Sequence, residues 1–320
     1  MLQPSCPMPT RAYNIGMLRE EGRGGSDSHG WCFGLPPGIS PKQWPLDPLT
    51  GYPLVHGFTL RLPEDYRCHG PDIAGLSFFA FCMEHSDGGT APDAAIQAAT
   101  SGDEAPEDER YRPFWQAARS RHPRLYRMTD ILGDSFAVIL LNQAELNGAL
   151  CPPPDTQAAR ALSRHAAPRW LEVGSGRALF DGQLGHAFDR KAEDLFLYKT
   201  FGTVPEARLD WSRALQWRPR ENDPNAGKAP EDPFSSEQVS GYQQPHYYEG
   251  GVVKTENYRK HSWTADHALN HIGGTMQPVQ ATPKFSPFYV EFEEYLGGYN
   301  FGTGNCQLDF LNMQLDWACG

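Results

Sequence analysis

The chain has 320 residues, with 28 Lys and Arg against 39 Asp and Glu, a net charge of −11. That length builds one large domain or two of ordinary size, at roughly 150 residues each. The acidic balance repels a polyanion and no Lys/Arg stripe offsets it, which argues against a nucleic-acid partner. Gly and Pro number 32 and 28, and both break helices, so long bundles and coiled coils are excluded.

The longest strongly apolar run, Phe136 to Leu141, is far below the roughly 20 residues that span a bilayer. The first residues have no basic start followed by an apolar stretch, so no secretory leader and no membrane partner are expected. Seven cysteines, Cys6, Cys32, Cys68, Cys82, Cys151, Cys306 and Cys319, show no C-x-x-C spacing. Reduced thiols in a cytoplasm are expected, with no disulfide frame, zinc site or cofactor.

Residues 1–30 are polar and Gly-rich, a leader strand or loop. A Pro- and Gly-punctuated passage from Trp31 to Tyr66 ends in a strand. There Phe58, Leu60 and Leu62 alternate with Thr59 and Arg61, the period of a strand buried on one face. Leu76 to Cys82 is more continuously apolar and reads as a central strand. The acidic stretch 86–110 reads as a surface excursion or disordered loop. Phe136 to Leu141 is a further strand. Cys151 and three prolines then stop any regular element, marking a boundary between lobes at 1–150 and 151–320, or a crossover within one intertwined domain.

Asp155 to Arg169 suits a helix, and 219–245 is loop-like. Phe288, Val290 and Phe292 alternate with Tyr289, Glu291 and Glu293, which predicts a strand with one apolar and one acidic face. Gly297-Gly298 turns the chain, and Leu308 to Leu315 reads as the last strand.

The two ends share a plan. Gly34-Leu35-Pro36, Trp44-Pro45 and Gly51-Tyr52-Pro53-Leu54 lead into one strand. Ile272-Gly273-Gly274, Gln277-Pro278-Val279-Gln280 and Pro283 lead into another. The passage at 33–66, and His271-Ile272-Gly273-Gly274 with Gln280, resemble the YwqG-like family of uncharacterised bacterial proteins. The matching stretches cover about a seventh of the chain. The closing GGYNFGTGNCQLDF departs from that family's usual Trp-Gly-Asp turn. The resemblance implies an α+β fold of two similar lobes with twisted, largely antiparallel sheets. It also implies a setting among genes for secreted toxins, where an immunity role is suspected. Its motif residues Trp44, Pro45, Gly51, Pro53, Gly273, Gly274 and Gln280 are then architectural: glycine supplies turn geometry and Gln280 satisfies buried backbone groups.

Four groups of residues invite a chemical reading. Trp170 to Arg177 (WLEVGSGR) resembles the cofactor-binding turn of methyltransferases, which requires a strand before the glycines and a helix after them. His267 and His271 have the spacing of a helical metal-ligand pair, without an H-E-x-x-H pattern. Glu291 and Glu293 share a strand face at about 7 Å. With Glu294 they form an acid/base pair, a solvated face or an acidic docking edge for a basic partner. Tyr242 to Tyr248, with Trp211, Trp217 and Trp263, are aromatic material for a groove or a core. The favoured reading is a non-enzymatic protein that binds another protein, a basic toxin, in the cytoplasm. The alternative is an enzyme, a methyltransferase through 171–177 or a metal-dependent hydrolase through His267 and His271, with a carbohydrate-binding module third.

Overall fold

The apolar runs become strands of one sheet. The computed structural model describes residues 8–82, 89–186, 191–232 and 241–320. From the first half of the chain come β1 (Ala12–Glu21), β2 (Gly30–Phe33), β3 (Val55–Arg61), β4 (Ile73–Ala80), β5 (Leu125–Thr129) and β6 (Ser135–Asn142). From the second come β7 (Ser212–Arg220), β10 (His271–Ile272), β11 (Tyr289–Glu293), β12 (Asn305–Asp309) and β13 (Gln314–Ala318). A separate hairpin pairs β8 (His246–Tyr248) with β9 (Tyr258–Lys260). The eleven strands lie in the order β13-β12-β11-β10-β1-β7-β2-β3-β4-β6-β5, every neighbour antiparallel. The fold is α+β, a large and nearly closed antiparallel sheet with helices packed on it.

The sheet coils until its two edge strands meet. Trp317 on β13 donates its indole N–H to Asp130, just beyond β5, at 2.7 Å. Inside the coil lies an aromatic core of Phe58, Phe78, Phe136, Phe292, Tyr299 and Phe301, all at most 2% exposed. Successive residues of a strand face opposite sides, so Phe79 and Ile139 point outward. They meet Trp44, Leu54 and Trp170 beneath the helices. This two-sided burial explains the unbroken apolar runs of β4 and β6.

The helices are α1 (Ala94–Ser101), α2 (Arg112–Arg119), α3 (Gln143–Leu146), α4 (Gln157–Leu162), α5 (Trp170–Val173), α6 (Ser175–His186) and α7 (Phe196–Phe201). The helix expected over Asp155 to Arg169 is confined to α4. Beyond Leu162 the backbone is drawn to the 91–93 turn, where Arg164 N donates to Asp93 and His165 Nε2 bonds Ala91 O at 2.9 Å. The strand expected over Leu308 to Leu315 is instead a hairpin. Asp309 Oδ1 accepts the N–H groups of Leu311 and Asn312 at 2.9 and 3.0 Å, an Asx turn that reverses the chain. The acidic stretch 86–110 carries α1, while 83–88 and 233–240 lie outside the described residues. Among the described residues, no helix is long and apolar enough to cross a membrane.

β7 is the middle strand of the sheet, between β1 and β2, and β1 pairs with β10 on its other side. β11 is not half-solvated as its alternation predicts. Its outer side is covered by the 276–286 segment, through the cluster Met276, Phe285 and Tyr289.

Candidate functional site

The register of β10 on β11 sets His271 directly opposite Glu291. Both side chains are fully buried. His271 Nε2 lies 2.7 Å from Glu291 Oε2, which also accepts Gln277 N–H at 2.8 Å. The other carboxylate oxygen accepts the side-chain amides of Asn305 and Gln307 at 2.8 and 3.0 Å. Burial and Arg220 push the His271 pKa down, while Glu291 opposes them.

A second buried cluster adjoins it. Arg220, at the end of β7, pairs with Asp223 at 3.2 Å and donates to Thr275 O and Ala268 O. Burial alone raises the Asp223 carboxyl. The Thr275 hydroxyl, two backbone N–H groups and Arg220 outweigh it and hold the group below its usual value. Such satisfied networks fix one arrangement of the backbone. They present nothing to solvent.

Glu291 therefore forms no docking edge, because it is a buried hydrogen-bond hub. Glu293 is half-buried, and its carboxyl is raised to about 7 by burial and by Glu291 and Glu294. Glu294 accepts the N–H groups of Phe301 and Thr303 and so holds the Gly-rich turn before β12. His267 lies in a turn and His271 on a strand, so the two do not share a helix face. His267 packs its ring against Trp263 and sits 4.0 Å from Asp223. Among the described residues no three His, Cys, Asp or Glu side chains gather around a common point to hold a metal.

The WLEVGSGR segment is helix–glycine–helix, α5 to α6, where a nucleotide cradle requires a strand. Gly174 and Gly176 instead let the backbone meet Arg208 O and the Trp211 ring. Trp211 is core, and Trp217 stacks on His29.

Of the motif residues, Trp44 donates its indole N–H to Leu54 O at 2.8 Å, and Pro45 O accepts Leu54 N–H. Gly51 has φ of 78° and lies under the Phe114 ring; Pro53 bridges to Leu46. Gly273 and Gly274 have φ of 58° and 80° and pack against Tyr66 and Asp223. Gln280 is exposed and bonds Cys319 O at 3.0 Å. The amides that satisfy buried groups are those of Asn305 and Gln307, whose burial follows from the covering of β11.

Glu294 and Gln280 line open pockets of about 630 and 600 Å³, and a groove with a more apolar wall lies among the helices. α1, α2 and α4 pack over the Gly51-Tyr52 turn through Ile96, Phe114 and Ala159. Between α2, α4 and the Trp44 loop runs a groove of about 700 Å³. Prolines 41, 53, 113 and 154, with Trp44 and Trp115, line it. The Arg119 guanidinium lies 4.2 Å over the Trp115 ring and donates to Asp103 O at 2.6 Å. The connection from Asp103 to Arg112 adjoins this end, with five carboxylates against two arginines. Neither Trp115 nor Arg119 belongs to a recognisable motif in the sequence. Their four-residue spacing after an acidic run was the available signal. Comparison with protein-family models, curated proteins and solved structures finds no match.

Proposed function

We propose that the protein is a non-enzymatic protein-binding protein that docks an extended basic segment of its partner in the groove between α2 and α4. The observation that carries this reading is the groove itself: a proline- and tryptophan-lined channel with an acidic connection at its end. Aromatic-lined grooves receive extended, proline-tolerant chains, and acidic rims raise the on-rate of basic ones. The resemblance to the YwqG-like family adds the setting, a cytoplasmic immunity protein that neutralises a basic bacterial toxin.

We also read the sheet as two similar, interleaved lobes. Support comes from the order about the central β1–β7 pair, with β10 to β13 beyond β1 and β2 to β6 beyond β7. β2 ends in two successive left-handed residues, Phe33 and Gly34, and β10 is followed by two more, Gly273 and Gly274. A side chain from the next strand bonds each pair: His56 reaches Phe33 O and Gly34 O, and Tyr289 reaches Gly274 O.

The test is co-expression with the product of a neighbouring toxin-like gene, with binding measured by calorimetry. The native chain is expected to rescue growth and bind. Trp115→Ala and the pair Glu107→Lys, Glu109→Lys are expected to weaken binding at least about tenfold, the effect of losing an interface anchor. Undiminished binding by both variants overturns the reading.

A further inference from the structure

The loop from β1 to β2 and the end of β3 bring two guanidinium groups to one small cavity, and neither forms an ion pair among the described residues. Arg23 lies over Trp31, 4.6 Å from the ring centre, and donates to Gly148 O at 2.8 Å. Its Nε is buried and has no hydrogen-bond partner. Arg61 donates to Gln143 Oε1 at 2.8 Å and reaches Asn147 Oδ1 at 3.4 Å, both uncharged. Of the nearby acids, Glu21 pairs with Arg208 and Arg213, and Asp27 acts on His29, opposing the burial and the Arg61 charge that lower its pKa. Burial lowers the pKa of both arginines, and no carboxylate raises either.

Partly buried charge without a counter-charge is costly. It stands out in a chain of net charge −11. The cavity holds about 150 Å³, and Ser28, His29 and Asn147 complete its wall. His29 accepts Trp217 N–H on Nδ1, so its neutral ring carries the proton on Nε2 as a further donor. Its stacking on Trp217, at 3.8 Å between centres, fixes the ring. Two fixed guanidiniums and an imidazole N–H form a donor set for oxygen anions, while the Ser28 hydroxyl donates to Gly30 O at 2.9 Å. The volume admits an anionic head group and excludes a whole nucleotide.

We propose that this pocket binds the phosphate group of a phosphomonoester. Two positive charges match a dianion better than a monocarboxylate. The site lies on other elements than the α2–α4 groove and stands or falls separately from it.

The experiment is calorimetric titration of the full chain with inorganic phosphate, and separately with acetate, at constant ionic strength. Phosphate is expected to bind in the millimolar range or tighter, and at least about tenfold more tightly than acetate. Arg23→Gln and Arg61→Gln are each expected to weaken phosphate about tenfold or more, the loss of one charge-assisted hydrogen bond. Arg61→Lys, which keeps the charge and loses the planar fork, gives a smaller loss and serves if a glutamine variant fails to fold by circular dichroism. No binding at about ten times a millimolar Kd overturns the proposal. Binding unchanged in the variants overturns it too, and acetate binding as tightly as phosphate overturns the dianion assignment.

Discussion

His271 and Glu291 share one proton in the sealed space between β10 and β11. His271 Nδ1 faces Gly273 O at 2.9 Å and must donate to it. Nε2 faces a carboxylate oxygen at 2.7 Å, so a proton lies between the two side chains and the pair is neutral as a unit. Gln277 N–H, Asn305 and Gln307 occupy the remaining acceptor sites of the carboxylate.

Removing the hub leaves its donors without an acceptor. Glu291→Ala is expected to destabilise the protein by about 3–5 kcal/mol, the range for breaking a buried charged pair. Glu291→Gln keeps one acceptor oxygen and should cost less. Urea unfolding with an unchanged m-value measures both. A loss below about 1 kcal/mol for the alanine variant is the size of one ordinary hydrogen bond and refutes the hub.

The sheet was legible where strand chemistry is local. Phe58, Leu60 and Phe136 to Leu141 announce β3 and β6 by period and by apolar content. The fate of Glu291 was not legible, because alternation says only that it faces away from Phe292. Whether that side meets water depends on the distant 276–286 segment, which covers it. The same limit applies to Gln280: pattern places an amide near the strand, and only the tertiary path leaves it outside. The groove was hidden for the same reason, since α2, α4 and the Trp44 loop meet only after folding.

Acid is expected to unfold the protein partly through His56. Burial holds this imidazole down at about 3, against an ordinary value of 6.5. The unfolded chain takes up a proton below 6.5 that the native chain refuses, so stability is full above 6.5 and drains as pH falls toward 3. At roughly 1.4 kcal/mol per pKa unit the loss reaches a few kcal/mol. His267, held at about 4, adds in the same direction. Glu293 and Asp134, raised by burial to about 7 and about 6, act oppositely, favouring the native state as pH falls from about 7 toward 4. The stability gap between the native chain and His56→Gln should therefore narrow as pH falls from 6.5 to 4. A constant gap in denaturant titrations removes His56 from the account.

Gly273 is expected to tolerate no side chain. Its φ is 58°, and a Cβ there would lie 1.8 Å from the Tyr66 hydroxyl. That hydroxyl is held by Arg11 O at 2.7 Å and cannot simply withdraw. Backbone strain and overpacking together put Gly273→Ala at about 2–6 kcal/mol. Tyr66→Phe removes the clashing atom, so the double variant should be more stable than the two single losses add up to. Strict additivity in that cycle means the two residues do not collide.

Thiol chemistry should divide the cysteines by position. Cys319 is exposed, while Cys32, Cys82, Cys151 and Cys306 are buried. Burial pushes the Cys32 and Cys306 thiols up, and Cys151 to about 11. Since the thiolate is the reactive form, a maleimide pulse on the native chain is expected to label Cys319 ahead of these four buried thiols. The four buried thiols should react only after denaturation. Peptide mass spectrometry reads the sites, and early labelling of Cys32 or Cys306 contradicts the closed core.

The seam of the coiled sheet rests on Trp317 and Asp130. The indole N–H meets Asp130 Oδ2, while Oδ1 accepts the N–H groups of Leu132 and Asp134 at 2.9 Å, so the carboxylate is anchored to its own turn. Trp317 also packs on Phe301, 5.6 Å between ring centres. Trp317→Phe retains an aromatic ring against Phe301 and removes the one donor to Asp130 Oδ2 among the described residues. A hydrogen bond to a charged group contributes about 1.5–3 kcal/mol, and its loss should fall mainly on the two edge strands. Hydrogen exchange is expected to speed up in β13 and β5, with β3 and β4 unchanged, because edges open locally before the centre. Equal protection of β13 and β5 in both proteins means that the seam is held by other contacts.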